Sequence, residues 1–217
     1  LHWPDRPLNV FSGLEYEHTE TDDVVPILET MEAMASLIKG GKIKYYGLSN
    51  ETPWGTSQYI KLAEKHNIPK PITIQNPYSL INRSYEVGLS EISIREKIGL
   101  LAYSPLGGGH LTGKYLGGKK PVGTREVLWG DRFDRYRTRN TEPAVKAYYE
   151  VAKKHNIDPA QMAIQFCVIQ KFVTSTIIGA TSMEQLKKNI DSIDLSLTND
   201  VIKDINNVQL IYSNPCP

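Results

Sequence analysis

Cysteine is scarce: Cys167 and Cys216 are the only two in 217 residues, which gives neither a disulfide framework nor the spacing of a thiolate metal site. A reducing, cytoplasmic setting and no bound metal are therefore the expectation. Charge of one sign is lacking as well. Twenty-five Lys and Arg stand against 24 Asp and Glu, a formal charge of +1, so no electrostatic argument favours a nucleic-acid partner. Long apolar runs are missing too. The longest, such as residues 98–103, are strand-sized, far below the ~20 residues a membrane-spanning helix needs, and no membrane association is expected. The balance is ordinary: 40% hydrophobic and 23% charged residues with a mean hydropathy of −0.35. Such a chain buries a substantial core and is not intrinsically disordered. No secretory signal is visible, and residue 1 is Leu. The opening Leu-His-Trp-Pro reads as the end of a buried strand, so the expectation is a fragment of a longer protein.

Hydrophobic periodicity divides the chain into alternating elements. Leu28, Met31, Ala35 and Ile38 recur at helical spacing and stop at Gly40-Gly41. Residues 43–48 are β-rich, and Thr52-Pro53 opens a helix over 54–66. Strands follow at 72–75 and 99–103, with a helix at 86–97 between them. Helices are expected at 141–155 and 159–169, then a strand at 174–178 and a helix at 182–193. Strands separated by amphipathic helices form a parallel sheet covered by helices, an α/β class. The stretch 117–140 breaks the rhythm and reads as a connection without regular structure of its own, either a functional lid or disordered. An open doubly wound sheet and a (β/α)8 barrel both fit this order. The G-x-G-x-x-G fingerprint of the former is absent, which favours the barrel. Barrel chemistry sits at the C-terminal ends of strands, which here singles out His2, Ser49, Asn50, Gln75, Tyr103, Ser104 and the turn Gly179-Ala180-Thr181.

Two loops carry the signature of anion binding. Gly108 to Lys114 follows most of the G-x-x-x-x-G-K-[ST] phosphate loop but has Tyr115 where a hydroxyl must hold Mg²⁺, so triphosphate hydrolysis is disfavoured while a pyrophosphate still fits. The turn at 179–181 precedes a helix whose first N–H groups favour an anion. Arginines alternate with aromatics from Arg132 to Arg139, but Asp131 and Asp134 dilute the charge. That pattern does not favour a nucleic-acid platform.

Six motifs, in order, resemble the aldo-keto reductase family. They are Leu-His-Trp-Pro at 1–4, Gly-Leu-Ser-Asn at 47–50 and Gln-Asn-Pro-Tyr-Ser at 75–79, then Ala-Tyr-Ser-Pro-Leu-Gly at 102–107, Gly-Lys-Tyr at 113–115 and the run 177–190. The pattern is nearest the branch of Tas-like reductases and channel β-subunits. The resemblance implies an incomplete (β/α)8 TIM barrel, about strands 4 to 8 with their helices, as one domain over 1–217. It implies NADP(H) as cofactor and a small-molecule aldehyde or ketone as substrate. Ser49, Asn50 and Gln75 would hold the nicotinamide carboxamide, with Tyr103 stacked on its ring. Ser104, Pro105, Leu106 and Gly108 would line the pyrophosphate, Lys114 would supply charge, and Arg132 would belong to a segment that folds over the cofactor as a clamp. Gly179, Thr181, Gln185, Lys188 and Asn189 would hold the adenosine 2′-phosphate. His2 would hydrogen-bond the substrate carbonyl. The family's proton-donating Tyr, with its Lys and Asp, has no match in 1–217, so the resemblance implies carbonyl reduction by a longer parent and an inactive isolated chain. The alternative is an NADP(H)-binding regulatory protein like the channel β-subunits.

Overall fold

The structure is a computed structural model that describes residues 1–9 and 13–217, with the side chains of 131–133 excepted. Helix α1 spans Ile27–Lys39 and precedes the short strand β1, Leu48–Ser49. Helix α2 covers Pro53–His66. The Thr52 hydroxyl accepts from the Gly55 N–H, and Pro53 takes the first turn, where no N–H is needed. Strand β2 (Thr73–Pro77) is followed by α3 (Leu89–Glu96), and β3 (Gly99–Tyr103) follows that. A one-turn helix α4 (Arg125–Leu128) lies in the long connection. Then come α5 (Thr141–Lys154), α6 (Pro159–Val168) and β4 (Val173–Thr176), with α7 (Met183–Ile190) and α8 (Asn199–Ile211) closing the chain.

Among the described residues the four strands form one parallel sheet in the order β1-β2-β3-β4. A doubly wound sheet reverses its strand order at a switch point. None occurs here, so the winding is that of an α/β fold consistent with part of a barrel. One face of β2 and β3 is sealed by helices, with Ile74, Leu100 and Ala102 wholly buried. The other face, which carries Gln75, Leu101 and Tyr103, is half-buried. Beneath the sealed face Tyr78 meets Phe172 edge-on at 5.3 Å and Phe166 in a stack at 5.9 Å.

A repeated Lys-His-Asn-Ile, at 65–68 and 154–157, is one structural device used twice. Asn67 and Asn156 take left-handed φ values of 51° and 53°, and the following isoleucine N–H groups bond back to Ala63 and Ala152. This is the helix stop in which a left-handed residue turns the chain so that the last carbonyls are satisfied.

Several expectations are corrected. Residues 1–4 form no strand and Leu1 and Trp3 are exposed; the amino group of Leu1 only reaches the Gly47 carbonyl at 2.8 Å. Of residues 43–48 only Leu48 joins a ladder. The helix expected at 86–97 begins at Leu89, because Gly88 at φ 89° breaks it from the 3-10 turn Ser84–Glu86. The helix expected at 182–193 ends at Ile190 and passes into the 3-10 turn Asp191–Asp194. The connection 117–140 is not devoid of structure: it holds α4 and the 3-10 segments Leu116–Gly118 and Gly130–Tyr136. Helix α8 lay outside the expected elements, although Val201, Ile205 and Val208 stripe its buried face.

Candidate functional site

Parallel pairing sets Ser49 beside Gln75, and the Ser49 hydroxyl donates to the Gln75 carbonyl at 2.8 Å. The next residue, Asn50, turns into the left-handed region at φ 55°, where asparagine is tolerated better than most side chains. That turn aims its amide across the strand ends. Asn50 Nδ2 donates to the His2 carbonyl at 3.1 Å, and its Oδ1 accepts from the Tyr103 hydroxyl at 2.7 Å. One buried amide thus ties residue 2, the tip of β1 and the tip of β3 together. The structure brings His2, Ser49, Asn50, Gln75 and Tyr103 into one cluster, with both ends of the Asn50 amide engaged within the protein. Burial raises the Tyr103 phenol above its ordinary value, against a lowering by Arg135, so it stays a neutral donor. The His2 ring is exposed and tilts against Trp3 at 5.0 Å.

Tyr103 also borders a cavity of about 700 Å³ that opens beyond the C-terminal ends of β3 and β4. Its first wall is the loop after β3, where Ser104, Pro105, Leu106, Gly108 and Lys114 line the space. Gly107, Gly108 and Gly109 take successive φ values of 52°, 65° and 101°. Side chains rarely tolerate such angles, and a Cβ at Gly109 would stand 2.9 Å from Lys114 Cε and Nζ. Gly108 and Gly109 thus keep bare backbone against the cavity. Helices α5 and α6 pack behind this loop.

The second wall is the turn between β4 and α7. Thr181 donates from its N–H and its hydroxyl to Gln185 Oε1, at 3.0 and 3.1 Å, while the Ser182 hydroxyl caps α7 through the Gln185 N–H. Asn189 Nδ2 reaches back to the Gly179 carbonyl at 3.3 Å. Lys188 is not a free cation, since its ammonium pairs with Asp158. The other Asp158 oxygen caps α6, accepting from the Ala160 and Gln161 N–H groups. Gly179, Thr181, Gln185, Lys188 and Asn189 all line the cavity.

The third wall, residues 122–125, lies in the connection that the sequence marks as a candidate lid, although none of these four residues stands out there. Arg125 at the start of α4 faces the cavity. It packs against the 179 turn so closely that a Cβ on Gly179 would meet its Nη2 at 3.0 Å, and its guanidinium lies 5.3 Å from the Trp129 ring centre. Nothing in the local spacing marks Arg125. Its neighbour on the second wall, Gly179, is more than 50 residues away in sequence. Arg132, the arginine singled out in this connection, belongs to the residues whose side chains are not described.

The volume lies in the range of small-molecule pockets, and its walls carry groups that favour an anion: bare glycine backbone, hydroxyls, an amide and the cations Lys114 and Arg125. Among the described residues no three His, Cys, Asp or Glu side chains are grouped to hold a metal, and no helix is long and apolar enough to cross a membrane.

Residues 1–209 match the sequence model described as the Aldo/keto reductase family. The chain is 51% identical over its whole length to the Protein tas of Escherichia coli strain K12, of which it covers 62%. It is 34% identical over 99% of its length to an Aldo-keto reductase of Babesia bovis, covering 80% of that protein. With the L-glyceraldehyde 3-phosphate reductase of Escherichia coli K12 it shares 31% identity over 84% of its length and 55% of the relative's. The chain therefore spans about three-fifths of the first of these proteins. Two of the three carry reductase names, which does not favour a purely regulatory role.

Proposed function

The chain belongs to the aldo/keto reductase family, and from that premise we propose that it carries the cofactor-binding part of an NADPH-dependent reductase of aldehydes or ketones. The observation that carries the reading is the cavity shared by the glycine loop after β3, the capped N-terminus of α7 and the Arg125 side chain. The glycine loop and Lys114 are suited to the pyrophosphate, because unhindered N–H groups and a positive charge stabilise an anion. Thr181, Gln185, Asn189 and Arg125 are suited to the adenosine 2′-phosphate. Lys188 contributes a charge already shared with Asp158, so Arg125 takes the larger part in our reading. Ser49, Asn50, Gln75 and Tyr103 border the nicotinamide end. There Asn50 fixes the phenol of Tyr103 and leaves its ring to flank a flat ligand.

When bound, the reduced nicotinamide supplies the hydride that a carbonyl carbon accepts. His2 would offer a hydrogen bond to the carbonyl oxygen of the substrate, its backbone anchored by Asn50. The residue that delivers the proton is not assigned within 1–217, so we propose turnover for the whole protein and cofactor binding for this chain. Two buried thiols suit a reducing, cytoplasmic compartment.

Titration of intrinsic tryptophan fluorescence with NADPH and with NADH tests the reading, since Trp129 lies beside Arg125. The expected result is tighter binding of NADPH. Arg125→Ala should weaken NADPH by roughly 10- to 100-fold, the loss of one or two charge-assisted hydrogen bonds, and leave NADH nearly unchanged. Equal affinity of the wild type for the two nucleotides would remove the 2′-phosphate from the site.

A further inference from the structure

Helix α4 is a single turn, four residues long. A helix of that length has no stability of its own, so what holds Arg125 against the cofactor cavity must lie outside α4. The buried residue of this turn is the one after Arg125, the carboxylate Glu126, which is 8% exposed. A carboxylate is a poor choice for filling space, because its burial is costly unless it is paired.

Glu126 faces away from the cofactor cavity into a second, smaller one of about 200 Å³, lined also by His110, Tyr115, Tyr136 and Arg137. The wall that carries Arg125 is thus one helical turn thick, with a cavity on each side. Glu126 Oε1 accepts from Arg137 Nε at 3.0 Å. Glu126 Oε2 lies 3.6 Å from His110 Nε2, and among the described residues neither of these two buried atoms has a closer hydrogen-bond partner. His110 belongs to the 3-10 segment Gly107–Thr112, the same segment whose glycines border the cofactor cavity. Its ring is wedged between Tyr115 at 4.7 Å and Tyr136 at 5.4 Å. Arg137 in turn donates to Asp134 and to the Gly130 carbonyl, which fastens the far end of the clamp.

We propose that Glu126 is the positioning residue of this clamp: through His110 and Arg137 it locks α4 onto the glycine loop and so holds Arg125 at the cofactor cavity. The proposal rests on the cofactor reading above for its consequence but not for its mechanics. It carries a pH dependence. The groups facing His110 are Glu126 from α4, Lys114 from the end of its own loop, Arg137 beyond the clamp, and the Tyr115 and Tyr136 rings. Burial, which outweighs the pull of Glu126, lowers the imidazole pKa with help from Lys114 and Arg137. A base whose pKa is depressed in the folded state favours closure while neutral. That contribution is complete above the ordinary imidazole value of 6.5 and is lost as the pH falls through the lowered one. Acid should open the clamp.

Hydrogen exchange of the residue 121–130 amides, read as protection factors with β3 as internal reference, tests this without cofactor. Glu126→Gln keeps the shape and loses the charge. It should lower protection in 121–130 by roughly 10-fold, the loss of one charged hydrogen bond, with β3 unchanged. Acidifying the wild type from pH 8 to well below 6.5 should also lower protection there, and His110→Asn should abolish that acid response, which a merely structural role for His110 would not predict. In fluorescence titrations Glu126→Gln should weaken NADPH about as much as it lowers protection, and NADH far less. Unchanged protection in Glu126→Gln, an acid response that persists in His110→Asn, or parallel losses of NADPH and NADH would each overturn the proposal. A wild type that binds neither nucleotide while Glu126→Gln still loosens 121–130 would overturn the cofactor reading and leave the latch standing.

Discussion

The amide of Asn50 carries the most exposed prediction about how the strand tips are held. Asn50→Ala removes two hydrogen bonds, to the His2 carbonyl at 3.1 Å and from the Tyr103 hydroxyl at 2.7 Å, each contributing about 1 kcal/mol net. It also places alanine at φ 55°, a left-handed conformation that costs roughly 1 kcal/mol for a side chain unable to bond locally. The expected destabilisation is therefore about 3 kcal/mol. For a chain of this size that corresponds to a fall in Tm of roughly 6–12 °C. Tyr103→Phe deletes the phenol end of the same bond and should cost about 1 kcal/mol. Once Asn50 is alanine that bond is no longer there for the phenol to lose. The double variant should then be less destabilised than the sum of the two single variants, a coupling of about 1 kcal/mol between the two sites. Urea unfolding of the four proteins, with unchanged m values, measures this. Strict additivity, with Tyr103→Phe costing the same in both backgrounds, would refute the claim that Asn50 ties the tip of β1 to that of β3.

The close approach of β3 and β4 gives a second expectation: a Cβ at Gly99 would fall on the Thr174 hydroxyl, so Gly99→Ala should cost about 1–3 kcal/mol. Thr174→Ala in the same chain should recover most of that in urea unfolding, and failure to recover would locate the strain elsewhere. The thiols give a third. Burial pushes Cys167 well above the ordinary thiol range and Cys216 up to about 11. Both should react with a disulfide reagent at pH 8 at least ~100-fold more slowly than a free thiol and at the free rate in urea. Rapid native labelling of Cys216 would contradict the packing of the C-terminal segment beneath Thr141, and that of Cys167 the burial of its side chain in α6 against the Tyr78 carbonyl.

Which parts of this architecture could be seen in the residues follows from how far each cause reaches along the chain. The stops at Asn67 and Asn156 and the caps at Thr52, Asp158 and Ser182 are arranged within three or four residues of one another, so their spacing alone announces them. The glycines at 107–109 announce a loop that side chains cannot form. Residues 1–4 misled for the same reason: a tetrapeptide with apolar residues looks like a strand, but pairing needs a ladder neighbour, and what reaches it is the Gly47 carbonyl at Leu1 and the Asn50 side chain at His2. The one-turn helix α4 is likewise an outcome of packing rather than of propensity, whereas the break before α3 is local to Gly88.

For the candidate site the division is sharper. Tyr103, Lys114, Thr181 and Gln185 stand in motifs, and the fold gathers them around one cavity. Arg125 and Glu126 stand in none. They matter because a connection of over twenty residues returns to lay one beside Gly179 and the other beside His110. Lys188 looked like a free phosphate ligand until Asp158, thirty positions earlier, was found paired with it. Alternating helices and strands, their caps, and the loops able to receive a phosphate are set by interactions between near neighbours and were determined by the sequence alone. Which charges end up facing a ligand and which neutralise each other was decided only by the tertiary structure, because Coulombic pairing depends on distance in space and a linear sequence does not record it.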